Sequence, residues 1–226
     1  MQAGFDFPER LSDKHKPKRV ADFMQVFARN VMLSFLRNPK SDAFFFLGAS
    51  GLGKTELALA VAKELPAQLH VIASKECDLE RVRKLKLACS YVPHDMFRPD
   101  AKCKMHLVLI EEADQMSQAA YLAFLSLLDA TGFPPSTAFI FTGNDLISDP
   151  SGRFMSRTKL ISFSKEGMSG KITELLASIW AQEGGKPENA PNFARIVKDS
   201  KNNVRDAINV LETELMAVEP VGMETA

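Results

Sequence analysis

The sequence predicts an α/β fold in which helices cover both faces of a parallel sheet, followed by a small all-helical domain. Short apolar runs typical of buried strands alternate with helical patterns up to about residue 165. A glycine-rich loop joins the first of these strands to a helix, and from Ser169 onward the patterns are only helical. We therefore expect a sheet domain over residues 1–166, a helical domain over 167–218 and a frayed tail over 219–226.

The individual elements follow from local periodicity and from turn residues. Apolar residues at helical spacing predict a first helix over residues 21–37. Five apolar runs predict buried strands at 43–47, 71–73, 107–110, 138–141 and 160–163. Further helices are expected over 54–64, 79–87 and 117–128, with Ser117 as the cap of the last, and a final helix begins near Asn203.

Composition and charge exclude several classes of protein. The chain has 28 basic and 28 acidic side chains, and this balance argues against a protein that coats DNA by bulk charge. Cys77, Cys89 and Cys103 form no C-x-x-C pair, so we expect reduced thiols of a cytoplasmic protein rather than disulfides or a metal site. No apolar stretch is long enough to span a bilayer, and no membrane partner is expected.

A phosphate-binding loop is the strongest functional signal. The loop fits the pattern G-x-x-x-x-G-K-[ST] in full, with the residues Gly48, Ala49, Ser50, Gly51, Leu52, Gly53, Lys54 and Thr55. Glycines let the backbone wrap around phosphate oxygens, while amide N–H groups and the positive end of the next helix face the anion. We expect Lys54 to reach the β- and γ-phosphates and the Thr55 hydroxyl to be a Mg²⁺ ligand; the alternative is a glycine-rich turn with an accidental lysine.

Two carboxylates follow the third predicted strand directly. Glu111 and Glu112 come after four apolar residues, in a strand that we expect to lie beside the strand of the phosphate loop. The first can hold Mg²⁺ and the second can orient and polarise an attacking water. A solvated acidic turn after a strand is the alternative.

The stretch Glu111–Asp114, which reads E-E-A-D, resembles the second motif of the AAA+ ATPases, and within them the clamp loaders and replication factor C small subunits. That motif usually reads D-E-A-D, so Glu111 stands where aspartate is usual. The resemblance covers residues from about 11 to 216. It implies a P-loop NTPase sheet with a helical lid domain, and it implies ATP and Mg²⁺ as ligands.

Further positions match motifs of the same family. The segment Leu11–Lys18 is similar to the clamp-loader opening, which implies that Lys16 and Pro17 lie against adenine and ribose; a solvated basic arm is the alternative. Asn144 ends a stretch similar to the sensor-1 strand, which implies a polar group beside the γ-phosphate; an Asn-Asp turn is the alternative.

Two arginines match charged positions of the family. Ser156-Arg157-Thr158 resembles the S-R-C motif, which implies that Arg157 is a finger for the γ-phosphate of a neighbouring subunit; Arg153 is a rival for that role. Arg205 lies in a stretch similar to the sensor-2 helix, which implies contact with the nucleotide. An exposed surface arginine is the alternative for each.

The sequence therefore predicts an ATP-binding and ATP-hydrolysing subunit of an oligomer. The resemblance implies other AAA+ subunits as partners, together with primed DNA and a sliding clamp. Clamp loaders carry a C-terminal collar domain and this chain ends soon after the predicted lid, so a shortened or divergent loader is expected. The alternatives are a helicase loader or other remodeller that grips a protein partner, and a subunit that uses ATP as a switch without hydrolysis.

Overall fold

The computed structural model describes residues 9–93, 104–147 and 152–218, which fall into two units. Residues Pro17–Ser164 form a sheet unit, and the chain from Lys165 onward joins the N-terminal residues up to Lys16 in a helical unit. The sequence assigned residues 1–16 to the sheet domain, whereas the described residues of this segment, 9–16, belong to the helical unit. In the described part of the chain, no helix has the length and apolar character needed to cross a membrane.

The sheet unit contains five parallel strands in the order β2-β3-β4-β1-β5. They are β1 (Asp42–Leu47), β2 (Ala67–Ala73), β3 (Met105–Glu111), β4 (Thr137–Gly143) and β5 (Lys159–Ser162). The predicted α/β class with a parallel sheet is confirmed. The expectation that the acidic strand lies directly beside the strand of the phosphate loop is wrong, because β4 separates β3 from β1.

Helices pack on both faces of this sheet, because successive side chains of a strand point to opposite faces. Phe44 and Phe46 of β1 belong to the core beneath helices α2 (Val26–Arg37) and α3 (Lys54–Glu64). Phe45 belongs to the opposite core, beneath helices α4 (Leu79–Cys89) and α5 (Gln118–Leu127). The central strands are buried on both sides, which explains their unbroken apolar runs.

Several predicted boundaries hold and two require correction. Helix α3 has the predicted limits, and Ser117 caps α5 by accepting a hydrogen bond from the N–H of Ala120. The helix expected over 21–37 begins only at Val26, after a separate 3-10 turn at Val20–Asp22, because buried Phe23 adopts an extended backbone. Strand β2 is longer than predicted, since its edge position gives intermittent burial instead of an apolar run.

The helical unit consists of α1 (Leu11–Lys14), α6 (Ser169–Gln182), α7 (Phe193–Asp199) and α8 (Val204–Val218). Helix α6 begins at the residue where the sequence becomes purely helical in pattern, and it buries its apolar face against α7 and α8. Glu212 of α8 accepts the backbone N–H of Leu11, which pins α1 to α8. A helix of four residues is not stable by itself, so this contact with α8 stabilises α1.

Candidate nucleotide site

The glycine-rich loop runs from the end of β1 to the start of α3, and its path requires glycine. Gly48 has a φ of +154°, and an added Cβ would overlap the carbonyl oxygen of Phe163 and lie 2.9 Å from its Cβ. Gly53 precedes α3 in the left-handed conformation, with φ +84°. The Gly48 N–H donates to the carbonyl of Gly143 at 3.2 Å, which fixes the loop to the end of β4.

The Lys54 side chain connects this loop to the candidate sensor. Its ammonium donates to the carbonyl oxygens of Gly48 at 2.5 Å and Ala49 at 2.9 Å, and to Asn144 Oδ1 at 3.1 Å. Lys54 is only 9% exposed, and a buried cation needs such polar partners. Two residues that the sequence singled out for one site, 90 positions apart, therefore meet at the carboxyl edge of the sheet.

The two carboxylates stand at the same edge, two strands away. Glu111 is the half-buried last residue of β3, and Glu112 is exposed just beyond it. Two strand spacings place the β3 backbone about 10 Å from that of β1. Glu112 adopts a left-handed backbone with φ 53°, and its N–H donates to the Thr142 hydroxyl at 3.3 Å. Such a conformation costs about 1–3 kcal/mol in a residue other than glycine and is concentrated at functional sites.

Asp114 is a site residue that the sequence reasoning did not assign. Its Oδ1 accepts the backbone N–H of Asn144 at 3.3 Å, and an added Cβ at Gly143 would lie 3.1 Å from the same oxygen. The turn after β3 is thus tied to the end of β4, next to the residue that contacts Lys54. The signal in the sequence was the last letter of E-E-A-D, an acidic side chain close to the edge of the predicted sheet.

Arg157 is held by an acidic residue of its own chain. It ends a 3-10 turn at Met155–Arg157, and its Nε and Nη2 donate to Asp129 Oδ1 at 2.9 and 2.6 Å. Nη1 donates to the carbonyl of Arg153 at 2.8 Å, so described partners engage three of the five guanidinium N–H groups. Phe154 anchors this turn, since its fully buried ring lies 5.0 Å from that of Phe141.

Comparison with known proteins identifies the family of this sheet unit. A family model described as "ATPase family associated with various cellular activities (AAA)" matches residues 44–165, more than half of the chain. This chain belongs to the AAA family. The match extends from β1 to the end of the sheet unit, and it includes the glycine loop, both carboxylates, Asn144 and Arg157.

Curated relatives of this AAA chain are named as replication factor C small subunits. The small subunit of Picrophilus torridus is 27% identical over 213 residues, covering 89% of this chain and 62% of that protein. Small subunit 2 of Pyrobaculum arsenaticum is 26% identical over 225 residues, with coverages of 94% and 65%. Small subunit 1 of Pyrobaculum aerophilum is 29% identical over 212 residues, with coverages of 88% and 60%. These matches confirm the predicted resemblance to clamp-loader ATPases. The chain spans between 60% and 65% of the length of these relatives.

The donor groups of the AAA site fit a nucleotide with a divalent cation. Thr55 supplies a hydroxyl in the first turn of α3 and Glu111 supplies a carboxylate, which are the hard oxygen ligands that Mg²⁺ prefers. The 11-residue helix α3 directs the positive end of its dipole toward the loop.

The remaining predicted residues of the AAA chain lie near the start of the sheet unit and in the helical unit. Pro17 is the first residue of the sheet unit. Lys16 forms an ion pair with Asp13 at 2.9 Å, and Lys16 lowers the pKa of that carboxyl, with a smaller effect from Arg205. Arg205 is exposed in the first turn of α8, and its N–H donates to Asn203 Oδ1 at 3.1 Å. This cap explains why α8 begins where the sequence predicted.

The alternative for the N-terminal segment was a solvated basic arm, but His15 is not solvated. Its Nε2 lies 2.5 Å from Glu183 Oε1, and only 11% of its side chain is exposed. The Lys14 ammonium binds the other carboxylate oxygen of Glu183 at 2.7 Å and lowers the pKa of that carboxyl. This part of the segment is therefore packed against the helical unit.

Proposed function

We propose that this AAA chain binds ATP with Mg²⁺ at residues 48–55 and hydrolyses it as one subunit of an oligomer that acts in DNA replication, in the manner of a clamp-loader subunit. The observation that carries the nucleotide part is the contact of Lys54 with Asn144, which joins the phosphate loop to a polar residue at the end of β4. The replication part rests on the names of the relatives, replication factor C small subunits.

The residues of the site divide the chemistry between them. Loop N–H groups and the Lys54 ammonium bind and neutralise phosphate oxygens, and Thr55 and Glu111 hold the metal ion. Bound Mg²⁺ withdraws charge from the phosphates. The Glu112 carboxylate accepts a hydrogen bond from the attacking water, and the Asn144 amide orients that water without adding charge.

The family motifs assign three further contacts to the nucleotide. Lys16 and Pro17 lie against adenine and ribose, and Arg205 contacts the phosphates. Lys16 and Arg205 both belong to the helical unit. Both lower the pKa of Asp13, so their positive charges lie within electrostatic range of the same carboxylate.

Arg157 completes the site of a neighbouring subunit. A permanently charged, forked guanidinium suits the charge that develops during phosphoryl transfer. Its ion pair with Asp129 supports this role, because it fixes Nε and Nη2 on one carboxylate oxygen and so restricts the direction of the side chain. Arg153 is the other candidate for this finger. Substitution of each arginine by alanine in turn shows which of the two is required for ATP hydrolysis.

Exposed basic residues on the sheet unit are candidates for contact with a nucleic acid, and ordinary solvated helix charge is the alternative. Five basic residues of the 3-10 turn Ser74–Glu76 and of α4 are exposed: Lys75, Arg81, Arg83, Lys84 and Lys86. Backbone phosphates of primed DNA are the chemistry that such a surface attracts. Because Lys84 pairs with Glu80 at 2.6 Å, part of this charge is locally compensated.

The nucleotide assignment is tested with a matched pair of lysine variants. Lys54→Ala should abolish binding of a fluorescent ATP analogue, because the buried ammonium at the loop is lost. Lys63→Ala removes an exposed lysine from the same helix and should bind as the parent chain does. Equal affinity of both variants would refute the assignment of the phosphate site.

Turnover separates a hydrolysing subunit from an ATP switch. The switch has specific support, since Glu111 replaces the family's usual aspartate. The ATPase rate should rise steeply with protein concentration and increase further with primed DNA. A flat, negligible rate with intact ATP binding would favour the switch. Stimulation by a helicase rather than by a sliding clamp and DNA would favour the remodeller.

A further inference from the structure

A second cluster of polar side chains lies inside the sheet unit, toward the amino ends of the strands. His70 of β2 and His106 of β3 lie on the sheet face that α4 covers, and Cys89 is the last residue of that helix. His106 is 1% exposed and Cys89 is fully buried. His106 precedes Glu111 by five residues, about 16 Å along an extended strand, so this cluster is separate from the nucleotide site.

The geometry of the cluster is close to that of a metal site. The three potential ligand atoms lie within 4.8 Å of one another, and His70 Nε2 is 3.1 Å from His106 Nδ1. Zn–N bonds of 2.0–2.1 Å in a tetrahedral site place two nitrogens about 3.3 Å apart, and a Zn–S bond of 2.3 Å places sulfur about 3.6 Å from each. The separation of the two nitrogens therefore already suits a shared ion, and binding requires each imidazole to turn so that its lone pair points at the ion rather than at the other ring.

The hydrogen bond on the other side of His106 defines which nitrogen can bind a cation. His106 Nε2 lies 3.0 Å from the carbonyl oxygen of Tyr91, which can only accept a hydrogen bond. Nε2 therefore carries the proton, and Nδ1 directs its lone pair toward His70. A backbone carbonyl that receives the outer N–H of a histidine is the usual second shell of a metal-bound imidazole.

We propose that His70, Cys89 and His106 bind a single d-block cation of borderline softness, with Zn²⁺ as the first choice. Imidazole and thiolate are both ligands that zinc accepts, and two imidazoles with one thiolate are also the ligand set of blue-copper centres; one position is left for water or a further ligand. His70 also lines a cavity between β2 and α4, together with Leu85, Ala88 and the basic residues Arg81 and Lys84, so an ion that enters by this route passes two positive side chains. The bound ion would join β2, β3 and the end of α4.

The protonation states are compatible with this site. Burial lowers the pKa of His70 to about 4, so its imidazole is neutral near pH 7, as a ligand must be. Burial raises the pKa of Cys89 to about 11, so a bound cation has to displace the thiol proton. Without a cation, the alternative is a hydrogen-bonded group in which His70 donates to His106 and Cys89 bonds to Thr137.

The test compares two buried cysteines of the same core. The full chain, made without a polyhistidine tag and stripped with a chelator, is titrated with Zn²⁺, and bound metal is counted after gel filtration. The parent chain and Cys77→Ser should each retain one Zn²⁺ per chain with the same rise in Tm, because Cys77 lies outside the cluster. Cys89→Ser should bind at least about tenfold more weakly. With Co²⁺ as a probe, the thiolate charge-transfer absorption should be present in Cys77→Ser and absent in Cys89→Ser.

Two results would overturn the proposal. A folded parent chain that retains no Zn²⁺, or a Cys89→Ser variant that binds as tightly as Cys77→Ser, would leave only the hydrogen-bonded group. If Cys89→Ser does not fold, His70→Asn is the second variant, since this side chain is only partly buried. It should also lose Zn²⁺, and unchanged binding in that variant would equally reject the site.

Discussion

Gly48→Ala tests whether the first glycine of the phosphate loop is required by sterics and not only by backbone flexibility. The new methyl group would overlap the carbonyl oxygen of Phe163 and lie 2.9 Å from its Cβ and 3.2 Å from its carbonyl carbon. Phe163 cannot retreat easily, because its N–H is bonded to the carbonyl of Leu47 at 2.7 Å and its ring packs on Phe46 at 5.4 Å.

Two costs combine in this variant. A non-glycine residue at φ +154° carries about 1–3 kcal/mol of backbone strain. Overpacking against a fixed neighbour adds about 1–3 kcal/mol. The lower entropy of the unfolded chain returns about 0.4–1 kcal/mol, so we expect a net loss of about 1–6 kcal/mol in the free energy of unfolding.

Gly53→Ala is the matched control in the same loop. Gly53 also has a positive φ, of +84°, but an added Cβ would make an ordinary contact, 3.6 Å from Phe23 Cε1. Only backbone strain applies, about 1–2 kcal/mol before the entropic return. Gly48→Ala should therefore be less stable than Gly53→Ala by about 1–3 kcal/mol.

The assay is denaturant unfolding of both variants and the parent chain, followed by fluorescence and circular dichroism, with ATP affinity measured in parallel. Both variants should bind ATP more weakly, because both change the loop backbone. If Gly48→Ala is as stable as Gly53→Ala, the close approach of Gly48 to Phe163 does not limit the residue type, and the steric reasoning fails.

Three further predictions concern a core anchor, a positioning residue and an ion pair. Phe154→Ala should lower the free energy of unfolding by about 3–5 kcal/mol, because its fully buried ring packs against Phe141; a loss below 1 kcal/mol in denaturant titration would contradict this packing. Asp114→Ala should reduce ATP turnover about three- to tenfold at unchanged ATP affinity, since one hydrogen bond of about 0.5–1.5 kcal/mol to the backbone after β4 is lost. Unchanged turnover at saturating ATP would show that Asp114 does not position Asn144. Lys14 lowers the pKa of Glu183, so the stabilisation from this carboxylate is present above pH 4.5 and disappears as the pH falls through the lowered pKa. The difference in the free energy of unfolding between the parent chain and Glu183→Gln should stay under about 1 kcal/mol and shrink on acidification. A constant difference from pH 7 to pH 3 would contradict the ion pair.

Much of the fold was predictable because its signals are local. Helix α3 has the predicted limits, since a glycine loop precedes it and small and apolar residues recur on one face. Ser117 was predictable as a cap because its hydroxyl binds an N–H only three residues away. The edge strand β2 was only partly predictable, because alternating exposure removes the continuous apolar run that marks a buried strand.

The candidate site was also predictable only in part. The glycine loop and the acidic pair were predictable because each is a short contiguous motif in a strand-to-loop context. The pairing of Arg157 with Asp129 was not predictable, because the partners are 28 residues apart in different segments. The proposed metal site differs from the expectation that the cysteines hold no metal. Its members come from β2, α4 and β3 and form no sequence motif.

By itself, the sequence determined the alternation of strands and helices, the phosphate loop and the carboxylates at the end of β3, because backbone conformation and side-chain periodicity act over a few residues. Only the tertiary structure decided that β4 lies between β3 and β1 and that Asn144 meets Lys54. Strand order depends on packing between segments far apart in the chain, and several orders satisfy the same local patterns.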